Sequence, residues 1–100
     1  MSDDEKSLLL FLETRAVDYD GRVKTAHMNK EDFEIAERWN KDGFVQFGRI
    51  RASDINNDGS HWVRLSDQAW ISAHSLRQER GKRRWDKRRY QTTAEKQASQ

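Results

Sequence analysis

Residues 42–70 read DGFVQFGRIRASDINNDGSHWVRLSDQAW, and the signals along them come in a definite order. Asp42-Gly43 closes a helix, because glycine takes the left-handed conformation that ends one without a Cβ clash. Residues 44–53 are rich in aromatic and β-branched side chains, as a strand is. Val45, Phe47, Arg49 and Arg51 alternate onto one face, apolar at the start and basic toward the far end, so the hairpin is expected to project from the body. The polar run DINNDGS contains Asn-Asp-Gly, residues that tolerate positive φ in a tight turn. HWVRL supplies the return strand, and Ser66 caps a helix beginning DQAW. Helix, hairpin, helix is the order around which the rest of the chain is arranged.

Upstream, Ser2 and Glu5 have the spacing of a capping box, and Asp3 and Asp4 suit the positive end of a helix dipole. A first helix is expected over residues 3–18. Leu8, Leu9, Leu12, Ala16 and Tyr19 fall near one face, and Leu10 and Phe11 widen it. So wide an apolar arc belongs either to a central core helix or partly to a homodimer interface. Asp20-Gly21 is a turn signal. RVKTAHM, residues 22–28, offers a short extended piece or a single irregular turn. Asn29 caps a second helix over residues 30–41, with Phe33, Ile35, Ala36 and Trp39 as its buried set. Downstream, Ala69, Trp70, Ala73 and Leu76 are expected to face inward, after which the apolar spacing fades.

With 100 residues and 34% apolar side chains, the chain can bury one modest core. That core is expected within residues 1–80, leaving residues 81–100 as a basic, partly disordered extension; residues 91–100 have too few apolar groups to pack. A charged fraction of 36% would suggest disorder if it were of one sign, but the net charge is only +2 and four Trp, two Tyr and four Phe are present. A folded domain with a polar surface follows. The absence of cysteine excludes a disulfide scaffold, a thiolate metal site and a catalytic thiol. The longest apolar run, residues 8–12, is too short for a bilayer, and the acidic start MSDDEKS is unlike a secretion signal. A soluble cytoplasmic protein with no membrane partner is expected. Charge is unevenly distributed: residues 1–20 hold six carboxylates against two cations, whereas residues 77–89 hold eight cations against Glu79 and Asp86.

The string FEIAERWNKDGF, then VQFGRI, a polar turn and HWVRLSDQAW, resembles the back half of a winged helix-turn-helix domain. In that superfamily a recognition helix ends in Gly plus an apolar pair, runs into a two-stranded wing, and returns through a V-x-L-S/T segment into a final helix. Gly43, Phe44 and Val45 match the first junction; Val63, Leu65 and Ser66 match the second. The resemblance spans about residues 8–76 and implies an α+β winged-helix domain that binds DNA, as a small transcriptional regulator or architectural factor. Residues 22–28 leave less room than the family usually gives the helix before the recognition helix. The recognition-helix position itself carries Glu31, Asp32, Glu34 and Glu37 against Lys30, Arg38 and Lys41, a poor charge balance for a phosphate surface.

Contacts are therefore expected elsewhere, with Lys30 the one candidate on that helix. Arg80, Lys82, Arg83, Arg84, Lys87, Arg88 and Arg89 surround Trp85, combining phosphate-neutralising charge with a ring for stacking. The competing readings of this stripe are an acidic protein partner or a solvated helix end. On the wing, Arg49, Arg51 and Arg64, with Asn56 and Asn57 at the tip, could grip the backbone or enter a minor groove; an ordinary polar hairpin is the alternative. DNA is favoured over RNA. A second function class, a protein-interaction adaptor, would use the acidic helix 30–41 and an exposed Trp39 or Trp62.

The turn also spells Asp54-x-Asn56-x-Asp58-Gly59, the opening of a calcium loop, but the position for its closing Glu falls on Leu65, so turn chemistry explains it better. No two of His27, His61 and His74 have the spacing of a helical metal pair, and no nucleophile has a partnered base. No cofactor or catalytic residue is assigned, and a non-enzymatic protein is expected.

Overall fold

The computed structural model describes the backbone of residues 1–98 and the side chains of residues 1–84. Helix α1 spans Asp3–Asp18, strand β1 Arg22–Val23, helix α2 Lys30–Asp42, strand β2 Val45–Arg49, strand β3 His61–Leu65 and helix α3 Asp67–Ala98; single 3-10 turns lie at Thr25–His27 and Ala52–Asp54. Among the described residues these make a small α+β domain with one antiparallel sheet in the order β1-β3-β2. Residues 22–28 thus form both the short strand and the irregular turn that their sequence left open.

Local chemistry sets the helix ends. Ser2 Oγ accepts from the Glu5 amide, and the Glu5 carboxylate accepts in return from the Ser2 amide, both at 3.2 Å. These hydrogen bonds hold the Glu5 carboxyl below its ordinary value. Asn29 and Asp32 form the same reciprocal cap on α2, and Gly43 ends that helix at φ 79°. Ser66 does two jobs at the start of α3. Its hydroxyl accepts from the Ala69 amide at 3.2 Å and donates to the Phe44 carbonyl at 2.7 Å, so the cap also fastens α3 to the start of β2.

The core lies between the inner face of the sheet and the three helices. Leu9, Leu12, Val23 and Val45 are fully buried at its centre, and Ala36, Trp39, Val63, Leu65, Ala69 and Ala73 close around them. All four leucines of α1 are buried within the single chain. Of the apolar arc considered for a homodimer, Leu8, Leu9 and Leu12 pack in the core, while Val17 on α1 and Tyr19 at its C-cap are exposed. Trp39 is buried at 5% exposure, as expected of the buried set of α2, so it offers no open surface to a partner; Trp70, expected to face inward, is 39% exposed. The core stripe of α3 follows Ala69, Ala73 and Leu76, spaced four and three, and Trp70 lies about 100° around the helix from Ala69. Small alanines at the contact let α3 approach closely.

The hairpin also departs from expectation: it does not project freely. Strand β2 ends at Arg49, and the loop beyond it folds back on β1. The Ser60 amide donates to the Val23 carbonyl at 3.2 Å and the Ile50 amide to the Ser60 carbonyl at 2.9 Å. Arg15, 93% buried at the end of α1, donates through Nε to the Arg22 carbonyl at 2.7 Å and through Nη2 to the Asp58 carbonyl. Its guanidinium also lies 3.5 Å from the centroid of the Tyr19 ring. Arg22 Nη1 donates to the Asp54 carbonyl at 2.8 Å. Gly59 makes the closure possible, since a Cβ there would stand 2.2 Å from the Val23 carbonyl oxygen.

Candidate nucleic-acid interface

Strand register separates the hairpin arginines. Arg49 pairs with His61 and Gln46 with Arg64; facing partners share a side of the sheet and successive residues alternate. Arg49 therefore lies on the inner side with Phe47, His61 and Val63, whereas Arg64 lies on the outer side with Trp62. Arg51 falls beyond the strand, next to the Ala52–Asp54 turn. The three do not make one basic face.

The inner side at the Arg49 end is organised by rings. Phe47 stacks on His61 at 5.2 Å and 15°, and Phe33 meets both edge-on at 6.2 Å. This cluster joins α2 to the hairpin, helped by the Phe47 amide donating to Asn40 Oδ1 at 3.0 Å. Lys30 opens α2 one turn before Phe33, so the start of that helix and Arg49 lie at the same end. Burial first, and the Arg49 charge second, lower the proton affinity of His61.

On the outer side, the Trp62 indole rests over Gly48, where a Cβ would come within 2.8 Å of the ring. Arg22 is the register partner of Trp62 across β1, so Arg22, Trp62 and Arg64 share this face. Arg22 was not among the expected contacts; its strand is two residues long, too short for alternation to be read. At the tip, Asn56 and Asn57 are exposed. The Asn56 carbonyl oxygen of the side chain accepts from the Asp58 amide at 2.9 Å, so half of its amide group is spent on the turn.

The basic stripe lies on α3. A 32-residue helix is about 48 Å long, and among the described residues it meets the core through Ala69, Ala73 and Leu76 in its first three turns. The side chains of residues 77–84 are exposed, and they divide into two sets. Arg77, Arg80 and Arg84 line a groove of about 390 Å³ against Ser7, Leu10, Phe11 and Thr14 of α1. Arg77 is fixed there: it bonds the Glu13 carboxylate and the Thr14 hydroxyl, and reaches the Leu10 carbonyl at 3.3 Å. Lys82 and Arg83 fall outside the groove, with Arg83 3.3 Å from Glu79 one turn earlier. Trp85, Lys87, Arg88 and Arg89 lie outside the residues whose side chains are described. Among the described residues no group of three or more His, Asp or Glu side chains is arranged to hold a metal ion, and no helix is long and apolar enough to cross a membrane.

Comparison of the chain with models of known protein families, with curated proteins and with solved structures finds no match.

Proposed function

We propose that this chain is a non-catalytic nucleic-acid-binding protein of winged-helix type that engages duplex DNA through its basic α3 extension, assisted by the hairpin. The observation carrying the proposal is the run of exposed cations on α3 beyond Leu76, where Arg80, Lys82 and Arg84 meet no carboxylate within 4.0 Å among the described residues. Such charge has no part in the core and is suited to phosphate neutralisation. The winged-helix reading is supported by α2 running into the hairpin, by the Ser66 junction into α3 and by the order β1-β3-β2. On this reading, the Thr25–His27 turn would stand in place of the helix before the recognition helix. Acidic residues exposed on α2 direct contacts to Lys30 at its start, to Arg49, Arg51 and Arg64, and to the tip Asn56 and Asn57. A gel-shift titration at two salt concentrations tests the proposal. Binding should weaken steeply with salt and be lost when Lys82, Arg83, Arg84, Lys87, Arg88 and Arg89 are neutralised; absence of binding at low salt removes it.

A second reading, an adaptor that docks a protein partner, is favoured by the exposure of Glu31, Glu34 and Glu37 on α2 and of Trp62. A chemical-shift map with duplex DNA separates the two. The adaptor predicts perturbation of the basic extension at most, whereas the first reading predicts shifts at Arg49, Arg51 and Arg64 as well.

A further inference from the structure

The cations of α3 differ in their surroundings, and the groove set has features that the fold does not explain. Spacings of three and four residues bring Arg77, Arg80 and Arg84 to one helix face. Arg77 is neutralised by Glu13. Arg80 and Arg84 have no carboxylate partner among the described residues, and like charges one turn apart repel. An anion seated between them would remove that repulsion, and the guanidinium fork matches phosphate oxygens.

Gly81 is a second, independent observation. It lines the same groove within a helix, where glycine carries a backbone-entropy cost. Among the described residues nothing lies within 4 Å of where its Cβ would stand, so none of them requires the missing side chain. What the glycine does is leave the groove wall low between the two arginines. The floor, Leu10 and Phe11, is apolar, which suits the face of a sugar ring more than a run of carboxylates.

Resting on the nucleic-acid reading above, we infer that the groove between α1 and α3 seats one strand of sugar–phosphate backbone, with phosphate between Arg80 and Arg84 and sugar against Leu10 and Phe11. The exposed Ser7 hydroxyl stands at the rim as a further donor. Contacts of this kind fix orientation on the nucleic acid and carry no base sequence.

The test compares two variants of the full chain with equal loss of charge, Arg80→Gln/Arg84→Gln and Lys82→Gln/Arg83→Gln. Fluorescence anisotropy is read with a labelled random-sequence duplex across a salt series. The groove pair should make the log–log salt slope shallower by about 0.9, the value for the one phosphate seated between them, and the outer pair should change it by less than half as much. Gly81→Leu should melt at a higher temperature than the unmodified chain and yet bind severalfold more weakly. Equal slope losses from both pairs, or full binding by Gly81→Leu, would overturn the groove while nucleic-acid binding stands. No binding by the unmodified chain would overturn both. Poly-glutamate binding that depends on Arg80 and Arg84, without such dependence for duplex, would assign the groove to acidic proteins instead.

Discussion

The β2–β3 hairpin and the part of α3 beyond Leu76 both carry arginines in a short length of polar chain, yet packing acts on them in opposite ways. The hairpin is held at both ends, by Ser66 and Phe44 at its base and by Arg15, Val23 and Gly59 at its tip. Strand alternation then sends Arg49 and Arg64 to opposite sides. On α3 beyond Leu76, helical spacing instead gathers Arg77, Arg80 and Arg84 on one side, facing α1. Charge density along the chain becomes charge density in space only where the local period allows it. A period of two divides neighbours, and a period near 3.6 collects every third and fourth residue.

If that contrast is right, the same substitution should have opposite signs in the two regions. Gly59→Ala forces a Cβ into the Val23 backbone and is expected to destabilise the fold by about 3 kcal/mol in urea denaturation. Arg15→Met comes next. It strips the Arg22 and Asp58 carbonyls of their buried donor, for a loss of about 2–3 kcal/mol, and amide exchange at residues 56–60 should accelerate more than exchange in α2. Ser66→Ala, at the joint between the regions, should cost about 1–2 kcal/mol through the cap and the Phe44 carbonyl. Gly81→Ala should instead stabilise by up to about 1 kcal/mol, since the helix gains and nothing clashes. A destabilising result there would show that the far half of α3 is packed against something.

The smallest effect expected is a pH dependence at the hairpin. His61 has a folded proton affinity below its ordinary value of 6.5, through burial and then Arg49. The unfolded chain therefore takes up the proton more readily. The contribution of His61 is intact above about pH 6.5 and declines as pH falls through and below that value. His61→Gln should flatten the decline in thermal melts recorded across this range.

Much of the fold was legible because its signals are local. The two capping boxes or caps at Ser2 and Asn29, the Gly43 stop and the Ser66 start are each decided within four residues, and all appear where the sequence puts them. What could not be read depends on long-range closure. Arg15 looks like one cation on an amphipathic helix until the hairpin tip, 43 residues later, comes back to it. β1 has two residues, too few to show alternation, so its pairing with β3 and the side taken by Arg22 could not be foreseen. Trp70, expected inward with Ala69, Ala73 and Leu76, lies one residue off the alanine stripe, and which side of that stripe meets the core is decided by packing that the sequence alone does not show. On the candidate interface, the stripe was visible as composition, whereas its division into a groove set and an outer set required α1 alongside.

The most direct test of the central claim is the affinity of the full chain for random-sequence duplex DNA measured as a function of salt. With about four phosphates met by the basic segment, log affinity should fall linearly with log salt at a slope of about -3.6, and the slope should collapse when Lys82, Arg83, Arg84, Lys87, Arg88 and Arg89 are neutralised. A slope that survives that neutralisation, or no binding at low salt, would contradict it.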